Sequence, residues 1–532
     1  MAILAGLLTS VLMRYPLVPH EQGWDSFMIH NMSQSINNLG YMKWILHPFS
    51  YMGYYPHSYA SGIPVVLSLA SQTSGLDIEH SILLFCFIES VLFFLLAYMA
   101  ASQFTERFIF NLFTGFAYAL SPGVIWFSDW TVSTRGALIM FIPLFIFLLF
   151  KSNRETSEKF LHVALFVLII TMTIHNMFVF LLIILAAYFI SRLLFSIKHR
   201  VHLKKEGSTL NKSHIIGQAV FLFIFLSFLY IPVLLNMDFA TYTSLDVETI
   251  KTLGFYYGAK VGFLFLFLPM GLFFLMRKKR KGLPEIFLIF MALLIAPLVL
   301  SPYYVSLGFL FIFIMLCVYA VLPLIKRNPA DDEMKRRVKA VLMALLIVSM
   351  AGWAFQSKIH LISTKEEAHL NPDYCEDSLY EANIVLKHID DNTESAFISN
   401  DYTLHGRISA YTEKPNIVDR MYLINDYVDP ADMQIVRKHS VYSWFDDGPY
   451  EDAREVVLEY KYWSPLRGTP SERVINDLKY KYNIKYYVEN AMIPRQMNYY
   501  NKGIIPSGYF GYLDDSEYIL YSNEKVNIRY FR

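Results

Sequence analysis

Long hydrophobic runs separated by short polar gaps constrain this chain more than any other feature of its sequence. A bilayer core takes about 20 predominantly apolar residues per helix. The runs predict about eleven spans, near 2–18, 82–103, 108–121, 135–150, 160–175, 176–195, 215–236, 260–276, 284–301, 303–325 and 340–357. Overall the chain is 55% hydrophobic and 16% aromatic, too apolar for an ordinary soluble enzyme. The first run resembles a signal peptide in length, but it lacks a basic leading region and a small-residue cleavage site, and Arg14 interrupts it. We read it as an anchor.

From residue 100 onward the polar gaps alternate in charge. One kind is basic: Arg107; then Lys151, Arg154 and Lys159; then Lys198 to Lys212; then the unbroken Arg277-Lys278-Lys279-Arg280-Lys281; then Lys326 to Lys339. The other kind holds only Lys43, Arg135, Lys251 and Lys260. Basic loops stay cytoplasmic. The sparse loops are therefore expected outside, and they carry Glu21, Asp25, Asp129, Asp238, Asp246 and Glu248. Threading the spans makes residues 19–80 one long outer loop and sends the last span outward.

The net charge of +1 hides an asymmetry. Residues 1–357 hold 26 basic and 17 acidic side chains, whereas residues 358–532 hold 20 and 28. The expected fold class is a polytopic α-helical membrane protein of residues 1–357, followed by an exoplasmic soluble α/β domain of residues 358–532. Neither part has a charge pattern that suggests nucleic acid. Cys86, Cys317 and Cys375 form no CxxC spacing, so neither a zinc ribbon nor a disulfide framework is expected. In the polar part, near-helical spacing predicts helices over 377–389 and 471–482. Strands are expected at 395–399 and 484–488, with a hairpin of 518–521 and 526–530 turning at Asn523-Glu524.

Three outer constellations could carry chemistry. His20-Glu21-Gln22-Gly23-Trp24-Asp25 opens the first loop, and in a helix Glu21 and Asp25 would share one face. A carboxylate pair there can hold a divalent cation or act as a base, or simply be solvated. The second loop sets Asp129 among Trp126, Phe127 and Trp130, and Arg135 opens the next run. A guanidinium in that position can reach lipid phosphates or snorkel at the interface. His175 sits at an outer turn, and Asp246 and Glu248 lie in the Tyr-rich loop before the eighth span. The mid-span regions hold Glu89 and Arg14 but no ionisable pathway, which argues against an ion-coupled transporter.

At these residues the chain resembles the GT-C class of membrane glycosyltransferases, above all the archaeal and bacterial oligosaccharyltransferases and the protein-O-mannosyltransferases. Trp24-Asp25-Ser26-Phe27 with His30 looks like the acidic element of the class's first outer loop. Tyr54-Tyr55-Pro56-His57 is similar to its Tyr-Pro stretch, and Ser121-Pro122-Gly123 through Asp129 resembles its second acidic element. Ser244 to Glu248 stands where oligosaccharyltransferases carry a Thr/Ser-x-x-Glu motif, with one residue more. The class's Trp-Trp-Asp-x-Gly motif is replaced by Ser399-Asn400-Asp401-Tyr402, while Trp444-Phe445-Asp446-Asp447-Gly448 lies far downstream. The spans near residue 300 lack the Arg that contacts lipid pyrophosphate in that branch.

The resemblance implies transfer of a sugar from a polyprenyl-phosphate donor to a protein, lipid or glycan acceptor at the outer face of the cell membrane. It implies Asp25 and Asp129 as catalytic residues, with Asp25, Asp129 and His30 as ligands of a divalent metal such as Mg or Mn. Arg135 and His175 are implied as donor-phosphate ligands, and Glu248 and Asp246 as acceptor-binding residues. The alternatives are oligosaccharyl transfer to protein and a non-catalytic scaffold in surface-polysaccharide export.

Overall fold

A computed structural model of the chain describes residues 1–40, 62–155, 157–203, 247–300, 302–325, 333–362, 377–390, 395–399, 407–408, 410–412, 414, 476, 479–480, 484–491, 518–523 and 525–531. Outside the described residues lie Tyr54-Tyr55-Pro56-His57, the span expected at 215–236, Asp246, Asp401 and Trp444 to Gly448. Most of the helix expected at 471–482 also lies outside them.

Within these residues the chain is mostly helical. In order it forms α1 (Ala2–Leu12), α2 (Trp24–Leu39), α3 (Gly62–Ser74), α4 (Ile78–Ser102), α5 (Phe108–Ala119), α6 (Pro122–Ile125), α7 (Thr134–Arg154) and α8 (Glu158–Met172). There follow α9 (Val179–Leu203), α10 (Val247–Val261), α11 (Leu268–Arg277), α12 (Leu283–Ile295), α13 (Pro302–Gly308), α14 (Leu310–Ile325), α15 (Glu333–Ile362) and α16 (Asp377–Ile389). Four strands complete the order: β1 (Ala396–Ser399), β2 (Ile484–Asn490), β3 (Ile519–Ser522) and β4 (Val526–Tyr530).

Six helical stretches among the described residues are long and apolar enough to cross a membrane: 78–102, 134–154, 179–197, 247–277, 283–300 and 333–359. A seventh is added if α13 and α14, bent by 67°, form one span. Ten of the eleven expected spans lie on described residues, and several of these fall short of that length. Helix α1 stops after 11 residues, and α5 has 12. At 1.5 Å per residue, α1 reaches only about 16 Å against a hydrocarbon core of about 30 Å. Helix α8 has 15 residues and also falls short.

The chain divides into two compact units. The first comprises residues 1–15, 87–129 and 135–359; the second comprises 16–86, 130–134 and 360–532. In the first unit the helices approach closely where side chains are small. A Cβ on Gly271 of α11 would lie 1.8 Å from the Leu316 carbonyl oxygen of α14, so only glycine permits that crossing.

The second unit joins the first outer loop to the polar C-terminal part. Phe27 of α2 is fully buried in one core with Leu379 and Leu386 of α16, Phe397 of β1, Val488 of β2 and Ile528 of β4. Its sheet has the order β1-β2-β4-β3, with β1 parallel to β2 and the other pairs antiparallel. The β3–β4 turn is fixed by Asn523, whose side-chain oxygen accepts from the Lys525 and Val526 amides at 2.9 and 2.7 Å. Helices α2 and α3 are joined by polar side chains: Ser68 donates to Asn37 Oδ1 at 2.6 Å and Asn37 donates to Ser71 at 3.0 Å.

Candidate functional site

In the second unit the start of α2 is laced to the segment 130–134. Gly23 caps the helix at φ +96°, and a Cβ there would lie 2.2 Å from Thr131 Oγ1. The Gln22 amide donates to the Trp130 carbonyl at 2.9 Å, and the Val132 amide donates to Ser26 Oγ at 3.1 Å. Trp130 itself holds φ +47°, a left-handed conformation costly for a bulky residue, while its indole donates to the Glu79 carbonyl at 3.3 Å.

This lacing positions Asp25. Its carboxylate lies in the first turn of α2, where the helix dipole favours negative charge. It accepts a hydrogen bond from Ser133 Oγ at 3.0 Å. The side chain is half-buried.

Glu21 and His30 pair with each other. His30 Nδ1 lies 2.5 Å from Glu21 Oε1, and Ser26 Oγ donates to Glu21 Oε2 at 3.1 Å. Glu79, at the start of α4, accepts from the Glu21 amide at 3.1 Å and from Tyr411 at 3.3 Å, and lies 3.1 Å from His20 Nδ1. His20 in turn stacks on Tyr380 with centroids 3.7 Å apart. Burial pushes the Glu21 carboxyl above its ordinary range, opposed by His30. Burial works against a charged His30, yet the Glu21 carboxylate and its hydrogen bond outweigh it and leave the imidazole raised.

The first unit treats its acidic residue differently. Asp129 is almost fully buried, and Lys358 Nζ lies 2.7 Å from its Oδ1. Burial raises the Asp129 carboxyl, while the charges of Lys358 and Arg14 pull against it. The fully buried Arg14 donates to Ser128 Oγ at 3.2 Å, the Ser10 carbonyl at 3.2 Å and the Ala119 carbonyl at 2.7 Å. Glu89, also buried in this unit, has no hydrogen-bond partner for its carboxylate among the described residues.

A basic and aromatic group occupies another part of this unit. Arg135, in the first turn of α7, donates to the Tyr303 hydroxyl at 2.5 Å. His175 accepts at Nδ1 from the Met177 amide at 3.0 Å, which leaves Nε2 as the N–H donor. Burial and then the Arg135 charge lower its pKa to about 3, so the imidazole is neutral at physiological pH. His175 can therefore donate a hydrogen bond but supplies no positive charge. Lys260, buried at the end of α10, lies 3.6 Å from the Trp126 ring centroid. Glu248 is exposed in the first turn of α10, and Asp246 lies outside the described residues.

Three important residues carried no usable signal in the sequence. Glu79 is 58 positions from Glu21. Lys358 immediately follows the last expected span and reads there as a flanking charge. Lys260 looked like one sparse basic residue among polar and aromatic neighbours. The metal set expected from Asp25, Asp129 and His30 does not fit these partners. His30 is held by Glu21 and Asp129 by Lys358, and no group of three or more His, Cys, Asp or Glu arranged for a metal occurs among the described residues.

No protein-family model matches the sequence, and no curated protein matches it. Solved structures do share its fold. The oligosaccharyltransferase of Archaeoglobus fulgidus tethered to an acceptor peptide aligns with a TM-score of 0.57 at 13% identity, over 92% of this chain and 68% of that one. The archaeal oligosaccharyltransferase from the same organism, in complex with an inhibitory peptide and a dolichol-phosphate, gives 0.56 at 13% identity over 92% and 69%. Its complex with Zn and sulfate gives 0.54 at 13% identity over 92% and 68%. The chain thus shares the fold of these oligosaccharyltransferase structures.

Proposed function

We propose that this protein is a multi-pass membrane glycosyltransferase that moves a sugar from a polyprenyl-phosphate carrier to an acceptor at the outer face of the cell membrane. The observation that carries the reading is Asp25, a half-buried carboxylate at a helix N-terminus with a neutral hydroxyl partner, on a fold shared with an enzyme whose structure holds dolichol-phosphate. An acceptor hydroxyl or amide is a poor nucleophile at neutral pH, and a positioned carboxylate can take its proton as it attacks. The bond from the sugar's anomeric carbon to the phosphate oxygen breaks, and the lipid phosphate leaves with the electron pair.

The roles are proposed on these partners and on the resemblance. Asp25 serves as base. Arg135 supplies charge to the departing phosphate and the His175 Nε2–H supplies a hydrogen bond. Asp129, already paired with Lys358, orients rather than accepts protons. Glu248 and Asp246 are assigned to the acceptor. No step is routed through Mg, Mn or Zn, because two of the three residues expected to hold such an ion, His30 and Asp129, are paired with Glu21 and Lys358. Membrane lipid surrounds the spans of residues 1–357, and residues 358–532 are assigned to the outer side on the strength of the basic loops.

The test uses the full chain in lipid nanodiscs with a polyprenyl-phosphate sugar. Asp25→Asn should abolish transfer while leaving thermal stability near that of the unaltered protein; retained transfer removes the assignment of the base. Transfer to protein is the second enzymatic reading, favoured by the peptide-bound relative. A labelled donor offered to peptide and to lipid acceptors separates the two. Trp444→Ala with Asp446→Asn should reduce peptide transfer if that motif reads the acceptor. A scaffold in polysaccharide export would bind the donor lipid without turnover.

A further inference from the structure

The family resemblance implies a divalent cation at Asp129, but the counter-charge found there is an ammonium. Lys358 lies near the C-terminal end of α15, and its Nζ reaches three oxygens: Asp129 Oδ1 at 2.7 Å, the Met13 carbonyl at 3.3 Å and the Tyr15 carbonyl. A lysine ammonium has three N–H donors and no acceptor. One carboxylate and two carbonyls therefore use its full capacity.

Carboxylate and carbonyl oxygens are also what a hard divalent cation takes as ligands. Here the chain fills such an oxygen-lined position with its own charge, on side chains only 3% and 4% exposed. Arg14 adds a second positive charge in the field of Asp129. A metal ion entering would have to expel a buried ammonium from its only carboxylate contact among the described residues. An uncompensated buried charge is strongly unfavourable.

We propose that Lys358 stands in for a divalent cation at Asp129, so that this carboxylate is neutralised by the chain itself and sugar transfer requires no metal bound there. Lys358 is a positioning residue: it fixes Asp129 and ties it to the carbonyls that follow α1. The statement about metal binding stands by itself; the statement about transfer rests on the transferase reading.

The experiment titrates Mn(II) into the full-length protein in nanodiscs and counts bound ion by electron paramagnetic resonance. Wild type and Asp129→Asn should bind Mn(II) alike. Lys358→Met, neutral and of similar length, should bind at least about tenfold more tightly. That gain should vanish when Asp129→Asn is added. Wild-type transfer should be unchanged by EDTA.

An affinity about tenfold weaker in Asp129→Asn than in wild type overturns the proposal. So does a folded Lys358→Met that gains no affinity, or wild-type transfer lost in EDTA and restored by Mn(II). If Lys358→Met does not fold, the comparison of wild type with Asp129→Asn decides. If no transfer is seen under any condition, the transferase reading fails and the Mn(II) titrations still test the lysine.

Discussion

In the second unit the buried carboxylates Glu21 and Glu79 face imidazoles, hydroxyls and a phenol, whereas in the first unit Asp129 faces a lysine and an arginine. Imidazole titrates near physiological pH, whereas arginine keeps its charge. The contrast teaches where the fold sets carboxylates against imidazoles and hydroxyls and where it sets one against ammonium and guanidinium groups. Asp25 accepts a hydrogen bond from the Ser133 hydroxyl. It is the carboxylate proposed above as the base.

The largest expected effect tests that distinction. Asp25→Asn should lower donor turnover by about 10²–10⁴-fold, the usual contribution of a general base, measured with labelled donor in nanodiscs. If Glu21→Gln matches that loss while Asp25→Asn is active, the base lies in the imidazole network and the comparison breaks.

Next comes the Asp129–Lys358 pair. Lys358→Ala leaves a buried Asp129 without its ammonium and should cost about 3–5 kcal/mol in thermal unfolding. Replacing both, as Lys358→Met with Asp129→Leu, should restore much of that stability, since a well-packed apolar pair avoids burying charge. Equal losses in the single and double variants would show that the pair is not what the first unit depends on.

A smaller effect is expected at Gly23. Gly23→Ala places a Cβ against Thr131 at a φ disfavoured for L-residues, at a cost of about 1–3 kcal/mol. It changes no charge, so turnover should fall only through the displaced start of α2. Turnover that falls as far as in Asp25→Asn would mean that geometry, rather than the carboxylate, dominates.

The smallest effect is the pH dependence of the second unit. Both Glu21 and His30 are raised, so the folded unit binds more protons than the unfolded chain. The stability they contribute is full below the ordinary carboxylate range for Glu21, and below the ordinary imidazole range for His30. It is lost as pH rises through their folded values. Thermal unfolding should therefore occur at lower temperature at about pH 8.5 than at about pH 6, and His30→Gln should flatten the upper part of that slope. A rise in stability across this interval would reverse the assignment.

Much of the local structure was legible because it follows from side-chain periodicity. Helix α16 and strands β1 to β4 lie where apolar spacing places them, and six apolar helical stretches overlap the hydrophobic runs. Length was less legible. Hydrophobicity continues past Leu12, but the helix does not, since Arg14 turns inward to bond Ala119 and Ser128 instead of extending it. His30 was noticed as an accompaniment of Asp25, yet it is held by Glu21. His175 was read as a phosphate ligand, and burial beside Arg135 restricts it to a neutral donor.

By itself the sequence determined that this is a membrane protein whose loops alternate between rich and poor in lysine and arginine. Those properties are sums over residues and periods, and they need no knowledge of contacts. Only the tertiary structure decided which carboxylate meets which partner. Asp129 and Lys358 are 229 positions apart, and Tyr411 is 332 from Glu79. No local pattern encodes such pairs. Burial makes them matter, because a carboxylate removed from water takes its ionisation from whichever group the fold places against it.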